Sequence, residues 1–207
     1  LYDVIDGPEG NDASLRPNQL YAISLVDELV PLDKAQQILR LVEKQLLTPV
    51  GLRTLSPQDP RYRGRYEGSV VERDGAYHQG TVWPFLLGTF VTAWIKVHGT
   101  KAAALKQARG FLDGIGVHLK EACLGQVSEI FDAEAPHRPR GCYAQAWSVA
   151  EPLRVLIEDL GIQADIKKVT VKRVVVRQRK ETTPQSTQGK GGKNLRRGRG
   201  ESTSLNS

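Results

Sequence analysis

The 207-residue sequence predicts an all-α body followed by a basic, low-complexity tail. Three observations carry that expectation. Apolar residues recur at helical spacing in five stretches, and no stretch of the first 162 residues alternates as a strand would. Beyond that point the composition shifts to Gln, Gly, Lys, Arg, Ser and Thr. Two of the five helices are apolar nearly all round, and an amphipathic helix separates them. Such alternation of buried and half-exposed helices predicts two concentric layers, an α/α toroid of antiparallel hairpins, in which the N-termini of the inner helices gather at one mouth.

In order along the chain, residues 1–16 carry turn chemistry, as in Asp6-Gly7-Pro8-Glu9-Gly10-Asn11-Asp12. The apolar positions 20, 22, 23, 25, 26 and 29 predict a first helix over Asn18–Leu29, with Pro17 in its first turn and Pro31 ending it. A second helix is expected from Asp33, as N-cap, to Leu47, burying Ile38, Leu39, Leu41, Val42 and Leu46. Residues 50–79 form a long polar loop with two Pro and four Gly, of the length that in a compact domain is usually functional or disordered; its aromatic residues argue for function. The third helix, Gly80–Val97, is apolar on nearly every side. The fourth runs from Lys101 to Leu119 or Ala122 and is weakened by Gly110, Gly114 and Gly116. A second polar loop, 125–142, leads into the fifth helix, Tyr143–Leu160. The run Ile166–Arg177 alternates weakly and suggests a lone strand within the otherwise disordered tail.

Charge divides with the composition. Residues 163–207 hold 12 Lys and Arg against 3 acidic residues, a net of +9, which leaves residues 1–162 with 17 against 20, a net of −3. The mildly acidic body has no electrostatic case for binding a phosphate backbone, and only the tail, through Arg196-Arg-Gly-Arg199, has the charge to touch RNA or an acidic partner. No apolar run reaches the length of a membrane span, and no charged-then-apolar signal segment opens the sequence. Cys123 and Cys142 are too few for a disulfide framework and lack metal-ligand spacing, which suits a reducing cytoplasm. The sequence opens on Leu1 and contains no Met, which predicts a portion of a longer protein.

The polar residues concentrate in two segments, each ahead of an apolar helix. The first, Arg65–Pro84, gathers Arg65, Tyr66, Glu67, His78, Gln79 and Trp83; the second contains Ser128-Glu-Ile-Phe-Asp132 and His137-Arg-Pro-Arg-Gly141, with Arg138. Carboxylates and guanidiniums are the paired acceptors and donors that sugar hydroxyls need, and Trp83, Trp147, Tyr66, Tyr77 and Tyr143 offer flat faces for pyranose rings. Glu129, framed by apolar neighbours inside a polar loop, fits a general base or an ordinary capping glutamate. Glu67, Glu72 and Asp74 beside Arg63, Arg65 and Arg73 fit a local ion-pair network as well as a sugar site. Asp132 and Glu134 read as structural or solvated. His78 has no Cys or Asp at triad or metal spacing, so nucleophilic catalysis and zinc fit poorly. No Gly-rich phosphate cradle occurs in the body, and no cofactor is implied.

Seven motifs in order then carry a family resemblance: Arg16-Pro-Asn-Gln19 after Asp12-Ala-Ser-Leu15, Gly51-Leu-Arg-Thr-Leu55, Arg65-Tyr-Glu-Gly68, His78-Gln-Gly-Thr-Val-Trp-Pro84, Ser128-Glu-Ile-Phe-Asp132, His137-Arg-Pro-Arg-Gly-Cys142 and Ala144-Gln-Ala-Trp-Ser148. Over about residues 1–160 the chain resembles the C-terminal amylo-α-1,6-glucosidase region of glycogen debranching enzymes. The resemblance implies a six-hairpin α/α toroid and an inverting hydrolase that removes the α-1,6-linked glucose at trimmed branches of glycogen or limit dextrin. It places the family's general base on Glu129. The glucose pocket is expected along residues 65–83 and 137–147, including Gln145 and Trp147. The family's general acid lies in a Thr-Trp-Met-Asp motif, which this sequence does not contain. Residues 1–207 alone are therefore expected to be inactive. Two other readings stay open: a glucoamylase or trehalase relative with the same fold, and a non-catalytic carbohydrate-binding product.

Overall fold

A computed structural model describes residues 1–122 and 124–162. The expected strand at 166–177, the expected disorder of the tail and its Arg196–Arg199 run lie outside the described residues. The body is mainly helical, yet it is not all-α: five short antiparallel strands form one sheet in chain order, and two earlier strands form a separate hairpin. The strands of the sheet are two or three residues long, too short for period-two alternation to register in a sequence.

β1 (Val4–Gly7) and β2 (Gly10–Asp12) replace the expected irregular N-terminus. Positive φ at Asp6 and Gly10 bends the connection, and the Asn11 side chain accepts the Asp6 amide at 2.9 Å. The expected first helix is much shorter. A 3-10 turn at Pro17–Leu20 leads into α1 (Tyr21–Ser24), where Leu20 and Ile23 are buried. Leu25, Val26 and Leu29, expected on its buried face, are exposed, and Glu28 takes a positive φ that no helix continues through.

α2 (Leu32–Gln45) buries Ala35, Ile38, Leu39 and Val42, a stripe that Leu46 continues; Leu41 falls outside it and is about half exposed. Pro31 occupies the N-cap position, so Asp33 sits in the first turn, near the positive end of the helix dipole, and does not cap. β3 (Leu47–Thr48) and β4 (Gly51–Arg53) then make a tight hairpin in which Thr48 Oγ1 donates to the Gly51 carbonyl at 2.8 Å. The long loop 50–79 thus holds β4, and also α3 (Val70–Ala76). Ser69 and Glu72 close a reciprocal capping box at the start of α3.

β5 (Val82–Trp83) precedes α4 (Leu86–His98), the centre of the body. Leu87, Phe90, Val91 and Ala93 are fully buried, because α1, α2, α5 and α7 all pack on α4. The amphipathic fourth helix is two: α5 (Ala102–Gly110) and α6 (Asp113–His118). Gly114, read from sequence as a weakness, is required by packing. A Cβ there would stand 2.0 Å from the Pro49 carbonyl oxygen, so only glycine lets α6 approach the β3–β4 turn.

β6 (Ile130–Phe131) and β7 (Pro139–Arg140) structure the second polar loop. α7 (Ala146–Arg154) begins three residues later than expected and widens into a π-turn at Val155–Asp159. Arg154 pins that turn to α4: its guanidinium donates to Thr92 Oγ1 at 3.0 Å and pairs with Asp159 at 3.3 Å, while Thr92 donates to Asp159 at 2.5 Å. Among the described residues no helix is long and apolar enough to cross a membrane.

Candidate active site

The sheet is what joins the two polar segments. Val82 of β5 pairs with Phe131 of β6, and Phe131 pairs in turn with Pro139 of β7, so Arg65–Pro84 and Ser128–Cys142 become neighbours across backbone hydrogen bonds. Side chains complete the junction. The Asp132 carboxylate, expected to be structural or solvated, is buried; it accepts the Tyr66 amide at 2.9 Å and pairs with the Arg140 guanidinium at 2.9 Å. Arg140 also lies 3.7 Å from Glu67, which is itself 3.9 Å from Arg65. Glu134 accepts the Tyr62 hydroxyl at 2.6 Å.

Glu129 is half-buried at the seam. Its backbone amide donates to the Cys142 carbonyl at 2.8 Å, and the Cys142 amide donates back to Glu129 Oε2 at 2.8 Å. The other oxygen, Oε1, accepts the Tyr77 hydroxyl. Desolvation, then the hydrogen bond and charge of Glu129, push the Tyr77 phenol far above its ordinary range, so it stays a donor. Gly141 closes over the carboxylate. Its φ is +65°, and a Cβ at that position would lie 2.5 Å from Glu129 Oε2, so a side chain there would displace the acid. Two donors on one carboxylate fix its direction, and a general base must be positioned in this way.

Tyr77 also connects the aromatic residues. Its ring lies 5.8 Å from Tyr66, 4.7 Å from His78 and 4.8 Å from Trp83. Trp83 is 3% exposed, donates its indole N–H to the Tyr77 carbonyl at 3.0 Å, and carries His78 stacked at 5.0 Å. Trp147, 47% exposed, stacks on Phe85 at 4.6 Å and meets Trp83 edge-on at 5.8 Å. Partial desolvation and then the Arg16 charge hold the His78 imidazole below its ordinary value, so it is neutral at pH 7.

The residues expected at the site separate into two pockets. His78, Gln79, Trp83 and Trp147 line a cavity of about 520 Å³ together with Asp3, Arg16 and Phe85. Arg65, Glu67 and Arg138 line a polar pocket of about 120 Å³ with Asp132, Glu134 and Arg140. Tyr66 and Glu129 stand with Tyr77 at the junction and line neither pocket. Gln145 serves the fold locally, its side-chain oxygen accepting the Ala146 amide at 3.1 Å at the start of α7. Tyr143 is largely exposed.

Sequence reasoning missed the roles of Arg16 and Tyr77. Arg16 donates to the carbonyls of Thr54 and His78 at 3.0 and 2.7 Å and to Gln79 Oε1 at 2.8 Å, and lies 3.4 Å from Asp3; it sets the back wall of the larger cavity. The distances along the chain, 38 to 63 residues, leave no local signal for these contacts. Asp12, at the rim, is held down at about 2 by the Ser14 hydroxyl and amide and then by Arg61, so it presents a fixed negative charge. Among the described residues no cluster of His, Cys, Asp and Glu is suited to a metal ion.

The chain is 35% identical over 98 residues to the glycogen debranching enzyme of Saccharomyces cerevisiae, a stretch covering 44% of this chain and 6% of the yeast protein. It thus spans a small part of that relative's length. The pattern that defines the amylo-alpha-1,6-glucosidase family matches residues 1–154, which include β6, Glu129 and the aromatic wall. By that match, the chain belongs to the amylo-alpha-1,6-glucosidase family.

Proposed function

We propose that this chain is the base-bearing part of a cytoplasmic glycosidase that removes α-1,6-linked glucose from branched α-glucan by inversion. The observation that carries the reading is the setting of Glu129: a carboxylate held by the Tyr77 hydroxyl and the Cys142 amide, beside aromatic and polar walls. In the mechanism, Glu129 accepts a proton from a water as that water's oxygen attacks the anomeric carbon from the face opposite the glycosidic bond. The bond to the leaving oxygen breaks as a second carboxyl, roughly 6.5 to 9.5 Å from the first, protonates that oxygen. Arg65, Tyr66, Glu67 and Arg138 on one side, and His78, Gln79 and Trp147 on the other, bind the sugar through hydroxyl hydrogen bonds and stacking, with the buried Trp83 supporting His78 from behind.

The body, residues 1–162, is on this reading the C-terminal part of a six-hairpin α/α toroid. α4 and α7 belong to the inner layer and α2 and α5 to the outer, which the all-round burial of α4 supports. Residues 163–207 are basic in composition. The proton donor is absent from the 207 residues, since the Thr-Trp-Met-Asp motif does not occur in them. Loss of a general acid or base costs on the order of 10² to 10⁴ in rate. The 207-residue chain is therefore expected to bind limit dextrin and release no glucose from it. Glucose release by the purified chain would refute the missing donor, and absence of any glucan binding would refute the glycosidase reading itself. Within the toroid fold, preference for a branched substrate over linear maltodextrin or trehalose separates debranching from a glucoamylase- or trehalase-like activity.

A further inference from the structure

α6 ends at His118, outside both polar segments, and this imidazole is only 2% exposed. Its Nε2 accepts the Ser128 amide at 3.2 Å, and the ring meets Phe131 edge-on with centroids 4.7 Å apart. Ser128 and Phe131 bracket Glu129 and Ile130. Successive amides here point to different partners: that of Ser128 to His118, and that of Glu129 to the Cys142 carbonyl. The strip of chain that carries the carboxylate is thus held between an imidazole and the 142 backbone.

An acceptor at Nε2 places the imidazole proton on Nδ1. That atom is buried without a hydrogen-bond partner among the described residues, the nearest carboxylate oxygen, of Glu121, being 3.8 Å away. A leucine or phenylalanine would fill this space with no orphaned polar atom. What the ring supplies is an acceptor for an amide that is itself enclosed, since Ser128 is 1% exposed.

We propose that His118 is a positioning residue for Glu129: the neutral imidazole fixes the backbone at Ser128 and so aims the Glu129 carboxylate at the Cys142 amide and Tyr77 hydroxyl. The inference rests on the reading of Glu129 as the base, and it also has a readout that needs no turnover. Because the Cys142 amide donates to Glu129 Oε2, its proton chemical shift follows the ionisation of that carboxylate. Amide NMR of the 207-residue chain is the experiment. His118→Gln, which keeps an acceptor near the Nε2 position, retains the carboxylate titration seen at the Cys142 amide and slow exchange at Ser128. His118→Leu loses the titration and speeds Ser128 exchange by about tenfold or more, an opening confined to this segment. A folded His118→Leu chain with an unchanged Cys142 titration would overturn the proposal. If His118→Leu does not fold, His118→Asn, too short to reach the Ser128 amide, carries the same comparison with His118→Gln. Glu129→Gln is the control. A Cys142 titration that persists in it would show that another group is being followed, a failure of the reading of Glu129 and not of the role of His118.

Discussion

The segments Arg65–Pro84 and Ser128–Cys142 look alike in sequence, each a polar, arginine-containing stretch ahead of an apolar helix, but they are built differently. The first is a packed wall. Trp83 is buried, His78 stacks on it, and Tyr77 is enclosed on three sides by rings. The second is a backbone frame, in which β6 and β7, the Cys142 amide and carbonyl, and Gly141 surround a single carboxylate. One segment sets shape and the other sets direction. Aromatic side chains lose few rotamers on burial and make rigid walls, whereas a carboxylate must be aimed by hydrogen bonds.

Substitutions test that division. The largest effect is expected at the frame. In a form of the protein that turns over limit dextrin, Glu129→Gln should lower the rate by roughly 10² to 10⁴ while glucan affinity persists, as read by steady-state kinetics and binding calorimetry. Unchanged turnover would remove Glu129 from the chemistry. Next comes the wall. Trp83→Ala should destabilise the fold by about 3 to 5 kcal/mol in denaturant titration, whereas Trp147→Ala, half-exposed and stacked on Phe85, should cost about 1 kcal/mol and weaken sugar binding instead. Equal losses of stability at the two tryptophans would erase the distinction between buried wall and presented surface.

Tyr77 belongs to both segments. Tyr77→Phe keeps the ring and removes the donor to Glu129, which should lower kcat roughly ten- to a hundredfold, about 1.4 to 2.7 kcal/mol of transition-state stabilisation. A loss confined to KM would move Tyr77 from aiming the base to binding the sugar.

The smallest effect is on pH dependence. Burial holds His118, and partial desolvation and Arg16 hold His78, below their unfolded values. The unfolded chain therefore binds the proton first. Stability from both groups is fully present above about pH 6.5 and is lost as pH falls through their folded values. The stability from Asp12 and Asp59, also lowered, is present throughout this range and is lost only at more acid pH, as pH falls below the unfolded carboxylate range toward their folded values. Unfolding midpoints followed from pH 7.5 to 5 should decline, and the decline should be shallower in His118→Gln. A profile unaffected by that change would assign the acid sensitivity elsewhere.

Features that repeat over short distances or are spelled in contiguous residues were legible in the sequence. The buried stripe Ile38, Leu39, Val42 and Leu46 and the all-round burial of α4 follow from hydrophobic periodicity, and the family follows from seven ordered motifs. The capping box of Ser69 and Glu72 was also legible in principle, being a fixed four-residue spacing hidden inside what reads as loop. The rest follows from packing between distant segments. Strands of two residues have no period to read, and the exposure of Leu25 and Leu29 depends on where the chain turns after Ser24. The grip of Arg16 on Gln79, of Tyr77 on Glu129 and of His118 on Ser128 joins elements that no local pattern links. Such contacts exist because tertiary packing brings residues far apart in the chain within hydrogen-bond distance, and the sheet aligns the two polar segments. Register is set by the whole packed core rather than by any one segment.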